Sequence, residues 1–281
     1  MNTIAQMLRA CIGIATAFSV ACVAASAAAG DAAEHSQPVP AARAPGAVDP
    51  IHVAMLRYGT PAKSGQCFGT RFLQLAASES TIRVSPVLDA AALDGPALFE
   101  HPFAIMSGEG SFELSDRELA QLRRYLVGGG FLLATAGCSS NAWQGSFERA
   151  VERVFPDAPV PGPGATPIAA APGAAPHPGA RWVELPMTHE VFHTLFDIAD
   201  LTTRPPGAAA RILALEIDGR ITCIYSPGGL NDTKSASGGE PAAPAAPGKA
   251  TLPPSCCCCG TVEILSAPYL NANILAYAVM H

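Results

Sequence analysis

Downstream of residue 50, apolar stretches of two different periods alternate along the chain. Ile51–Arg57 and residues 81–87, 102–106 and 131–135 are short and largely apolar, the pattern of strands. Between them, residues 68–78, the stretch holding Leu119, Leu122, Tyr125 and Leu126, and residues 145–155 repeat apolar positions at helical spacing. Ser115-Asp116-Arg117-Glu118 forms a capping box at the head of the second of these helices, and Gly128-Gly129-Gly130 ends it. Residues 212–217 and 220–225 meet at Asp218-Gly219, which predicts a hairpin. Residues 269–280 predict a closing helix. Helices alternating with near-continuously apolar strands predict a doubly wound, mostly parallel α/β sheet, here with a β-hairpin added.

The rest of the chain has a different texture. Arg9 is the only charge before an apolar run from Cys11 to Ala25, and Ser26-Ala27-Ala28-Ala29 follows, the layout of a secretory signal cleaved near residues 27–29. An uncleaved anchor and lipidation of Cys22 are the alternatives, and either would give a membrane contact at the N-terminus alone. Residues 30–50 are rich in Ala and Pro and read as a linker. Seven prolines fall in 157–180 and five in 232–255. Both stretches are expected to be low-complexity surface insertions that add nothing to the core, which leaves 51–281 as a single α/β domain.

With 281 residues, 17 Lys plus Arg and 23 Asp plus Glu, the formal net charge is −6. That balance argues against nucleic-acid binding, which needs clustered cations to displace counterions from phosphates. No Gly-x-Gly-x-x-Gly follows the first strand and no Gly-Lys-Ser/Thr loop is present, so no nucleotide cofactor is expected.

The segment HPFAIMSGEGSFELSDRELAQLRRYLVGGGFLLATAG, residues 101–137, resembles the domain of unknown function 4159 family. LRYG at 56–59, ELPMTHEVFHTLFDI at 184–198, EIDGRITCIYSPGGL at 216–230 and the final NANILAYAVMH support it. The resemblance implies a flavodoxin-like sheet of the class I glutamine amidotransferase-like group. It implies no activity. Members of that family also occur beside or fused to envelope proteins with von Willebrand-type modules, which by analogy points to partners in the envelope.

Ligands of open α/β sheets bind beyond the carboxyl ends of the strands. Four loops qualify, and their candidate ligand-binding residues are Arg57, Ser107, Gly108, Glu109, Gly110, Ser139, Ser226 and Gly228. Each of these loops also reads simply as a tight turn. Cys138, just past the fourth strand, stands where amidotransferase-like folds place a nucleophile. A Cys–His pair would need His189 or His193 as base, although His189 also fits a structural role at a helix start. Ser140 stands where a second elbow glycine is expected. Asp116, Glu118, Glu148 and Glu152 read as solvated helix faces.

Nine cysteines are present, and removing Cys11 and Cys22 with a leader leaves an odd number. Cys256, Cys257, Cys258 and Cys259 are adjacent. Two of them with Cys67 or Cys138 would suit Zn²⁺ or Cu(I), while disulfides to Cys67, Cys138 or Cys223 suit an oxidising compartment. At least one of the four is expected close to Cys138 or Cys67, because residues 262–265 are expected to dock on the central sheet. The leading reading is an exported, non-enzymatic ligand- or partner-binding domain, periplasmic or on the outer face of a bacterial-type envelope. The alternatives are an amidotransferase-like hydrolase using Cys138 with His189, and a thiolate metal-binding protein.

Overall fold

Apolar strands that alternate with amphipathic helices can bury themselves only as the middle layer of three. The computed structural model, which describes residues 49–63, 65, 68–162, 170–208, 210–232 and 262–281 (backbone alone at residue 138), has that arrangement. The strands are β1 (Ile51–Arg57), β2 (Val84–Ala92), β3 (Phe103–Gly108), β4 (Phe131–Ala136), β5 (Ala180–Glu184), β6 (Thr203–Arg204), β7 (Leu213–Ile217), β8 (Arg220–Ser226) and β9 (Glu263–Ile264). The helices are α1 (Arg71–Ser78), α2 (Asp116–Val127), α3 (Asn141–Val154) and α4 (Ala267–Met280).

Seven strands form the central sheet in the order β2-β1-β3-β4-β8-β7-β5. The pairs from β2 through to β8 are parallel, and β7 and β5 extend the sheet in antiparallel fashion. This is a doubly wound, flavodoxin-like sheet. Every residue of β3 and β4 is buried, as expected of central strands covered on both faces. Alternation divides their side chains between two cores. Ala104, Met106, Leu132 and Ala134 face α2 and α3, while Phe103, Ile105, Phe131 and Leu133 face α1 and α4. Among the described residues, no helix is long and apolar enough to cross a membrane.

The hairpin exists, with Asp218 at φ 52° and Gly219 at φ 82° in its turn. Its second strand is not an appendage, however. β8 lies against β4 in the middle of the sheet, because residues 220–226 are buried almost throughout and need cover on both faces.

Residues 262–265 pack on the central sheet without joining it: Ile264 is buried in the core on the α1 and α4 face, while β9 pairs with β6 in a separate two-stranded sheet and touches the β8 loop through a Gly229–Glu263 bridge. One expectation needs correction: 157–180 is not wholly outside the core. Ala158, Val160 and Ala171 are buried against the α3-side cluster, and the Ala171 N–H donates to Arg153 O at 2.9 Å. Short Ala and Val side chains suffice where the backbone itself closes over the helix end.

The capping box is complete. Ser115 Oγ accepts from Glu118 N at 3.3 Å, and Glu118 Oε2 accepts from Ser115 N at 2.8 Å. Glu118 is not a solvated helix-face residue, since Oε1 also accepts from Gly59 N at 2.6 Å and ties the loop after β1 to the head of α2. Ser115→Ala is expected to cost about 1 kcal/mol, read as a fall in the urea midpoint at unchanged slope.

Candidate functional site

The strand order reverses between β1 and β3, and the loops leaving β1, β3, β4 and β8 meet beyond their carboxyl ends. Hydroxyls line the floor of this edge. Ser107 is in register with Thr135, and Thr135 with Ser226, so three adjacent central strands each present a fully buried hydroxyl at one level. Asn231 bridges two of them, donating from Nδ2 to Ser107 Oγ at 3.0 Å and accepting from Thr135 Oγ1 at 3.4 Å. Ser226 Oγ donates to Gly228 O at 2.6 Å and shapes the β8 loop.

Small residues let the loops approach one another. A Cβ on Gly108 would lie 2.8 Å from Tyr58 Oη and 3.2 Å from Trp143 Nε1, and one on Gly137 would lie 2.9 Å from Gly108 O. Gly228 leaves no room for a Cβ beside Ser139 Oγ. Ser139 itself has φ 50°, a left-handed conformation unusual for a residue with a Cβ, and its Oγ donates to Val262 O at 3.0 Å. Ser140 caps α3, accepting from Trp143 N at 3.3 Å and from Gly110 N at 3.0 Å. An N-cap here needs an oxygen acceptor, which explains why serine rather than a second elbow glycine follows.

Ser107, Gly108, Gly110, Ser139, Ser226 and Gly228 are thus brought to one edge. Arg57 and Glu109 lie there too, with exposed side chains. His189 does not join them. Its Nδ1 accepts from Val191 N at 3.2 Å and its ring packs on Tyr277 at 5.8 Å. Asn271 holds the other end of α4 to the β8 loop through Leu230 O at 2.8 Å. Six residues of helix, roughly 9 Å of rise, therefore separate that anchor from the turn beside His189. Burial also holds the imidazole below its ordinary value, which keeps the accepting nitrogen unprotonated. His189 thus caps the turn of residues 190–192 and packs on the end of α4.

The proposed thiolate set lies outside the described residues at Cys67 and Cys256 to Cys259, as does the expected approach of that run to Cys138 or Cys67. Cys223 is described, and it is a free thiol, fully buried in β8, whose pKa burial pushes well up. It is not a disulfide partner. Among the described residues, no three His, Cys, Asp or Glu side chains converge as metal ligands.

Where the edge meets β7 it opens into a cavity of about 350 Å³, lined by Gln144, Glu148, Arg211, Leu213, Pro227 and Gly228 among others. That volume lies at the small end of the usual range for ligand pockets. Of this lining, Pro227 and Gly228 fall in the loop after β8 that the sequence pattern marks, and Gly228 is among the candidate residues. Glu148 reads as a solvated helix face in sequence, yet it accepts from Tyr225 Oη at 2.9 Å, and Tyr225 is fully buried. Arg211 Nε donates to Glu184 Oε2 at 3.0 Å. The one signal in the sequence was the i, i+4 spacing of Gln144 and Glu148, which puts both on one side of α3.

A family model described as Domain of unknown function (DUF4159) matches residues 52–172, from β1 through α3. No curated protein matches the chain. The matched stretch includes the β1–β3 reversal and the α3 side of the cavity. Over residues 52–172 the chain is similar to the DUF4159 family.

Proposed function

We propose that the chain is an exported, non-catalytic binding domain of a bacterial-type cell envelope, and that it holds a small ligand at the carboxyl edge of its sheet. The cavity between α3 and the β7–β8 end carries the reading, because its polar side chains are already fixed by other partners before a ligand arrives. Preorganised groups lose little entropy on binding. Export rests on the N-terminal leader pattern, and partners in the envelope rest on analogy with the family.

Chemical-shift mapping with a library of small polar molecules tests the binding role. Shifts are expected at the amides of Gln144, Glu148, Leu213 and Gly228; ligands that bind only elsewhere would sink the proposal. For export, the protein recovered outside the cytoplasm is expected to begin just after residues 27–29. Recovery solely from the cytoplasm, with Met1 retained, would count against it.

A further inference from the structure

We infer that the cavity beside β8 takes a small amino-acid-like zwitterion, with Glu148 and Gln144 receiving its ammonium group and Arg211 its carboxylate. This rests on the ligand-binding reading above and names the chemistry of the same site.

The hydrogen-bonding capacity of the lining decides the class. Gln144 Nε2 donates to Pro227 O at 2.7 Å and to Ser139 O at 3.3 Å. The amide is therefore oriented with its donors in the loop and Oε1 left as an acceptor. Four residues further along α3, Glu148 receives the Tyr225 hydroxyl on Oε1. Burial and the charge of Glu148 keep that phenol protonated far beyond its ordinary range, so it donates and does not compete for a proton. Oε2 of Glu148 has no other side-chain partner among the described residues. Two acceptors at i and i+4, one of them charged, are complementary to an ammonium group with its three donors.

Arg211, also in the lining, is held by Glu184 Oε2 on Nε and by Pro161 O on Nη2, at 3.0 and 3.3 Å. These contacts fix the guanidinium plane while Nη1 keeps its donors, and a fixed guanidinium suits a carboxylate. Leu213 and Gly228 add apolar lining and open space to the cavity of about 350 Å³, which leaves room for a short side chain. A simple amine would leave Arg211 unused. A simple carboxylate would face Glu148.

Isothermal titration with each proteinogenic amino acid and with D-alanine tests the inference on the full mature chain. At least one is expected to bind saturably. Its methyl ester, which lacks the carboxylate, and its N-acetyl derivative, which lacks the ammonium, should each bind at least tenfold more weakly. Glu148→Gln and Arg211→Gln should each weaken binding by at least tenfold while the circular dichroism spectrum stays unchanged. The ester and N-acetyl arms need no variant, so a folding defect cannot mask the answer. Equal binding of the ester or the N-acetyl compound would overturn the inference. So would failure of every amino acid while another small molecule shifts the Gln144 and Gly228 amides, which would leave the binding site standing. Failure of every small molecule at those amides would remove the site and the inference with it.

Discussion

Trp143→Ala is expected to lower the stability of the domain by about 3–5 kcal/mol, the range for deleting a large buried aromatic. Trp143 is fully buried in the first turn of α3 and stacks on Phe147 with ring centroids 5.2 Å apart. It also leans on Phe112 at 5.8 Å, and its Nε1 donates to Tyr58 Oη at 2.5 Å. Tyr58 and Phe112 are in edge contact in turn, and Phe147 reaches Tyr225. Alanine would leave a cavity where this row is continuous and would strand the Tyr58 hydroxyl. The measurement is the urea midpoint. A loss below about 1 kcal/mol, typical of a surface substitution, would mean the ring is not the centre of the packing.

The second large effect is expected at the opposite face of the sheet. The segment between β5 and β6 has little regular structure, yet it covers α4, and its backbone groups need partners. Asn273, fully buried in α4, supplies them: Oδ1 accepts from Leu195 N at 3.0 Å and Phe196 N at 2.8 Å, and Nδ2 donates to Phe196 O at 2.8 Å. Asn273→Ala removes all three bonds at once and is expected to cost about 2–4 kcal/mol. Hydrogen exchange separates this from a general loss. The amides of Leu195 and Phe196 should lose protection beyond the global change; if they exchange no faster than those of β3 and β4, the clamp is not what orders the segment.

The central elements were legible because local pattern and tertiary demand agree there. β3 and β4 read as buried strands and are buried strands. The Ser115–Glu118 box marks the true head of α2, and Asp218-Gly219 the true hairpin turn. Departures occur where a distant residue overrides the local pattern. α1 starts at Arg71 and not at 68, and the residues before it are tied instead to the loop after β8, where Gly69 N donates to Asn231 O at 2.7 Å. β2 runs on to Ala92 because β1 offers it partners as far as Arg57, which a run of alanines does not announce. β5 follows directly on a proline-rich stretch, and only the alternation around Trp182 marks it. The site was less legible than the fold. The loop glycines and hydroxyls are visible as a set, whereas Glu148 reads as a solvated helix face and nothing in the local pattern marks Gln144 or Arg211, whose partners Pro227 and Glu184, like Tyr225 for Glu148, are distant in sequence.

The aromatic row through Trp143 has a spectroscopic consequence. The chain has two tryptophans, Trp143 and Trp182, and both are buried in the core between the sheet and α2–α3. They sit in one row of rings, since Trp182 meets Tyr225 at 6.2 Å. The core facing α1 and α4 holds phenylalanines and Tyr277 but neither indole. Intrinsic indole emission therefore watches only half of the domain, while far-ultraviolet dichroism sees the helices on both sides. If the two halves melt together, the two signals coincide along a denaturant titration. If the α4 side opens first, as a weakened Asn273 clamp would cause, dichroism falls while the emission maximum stays blue.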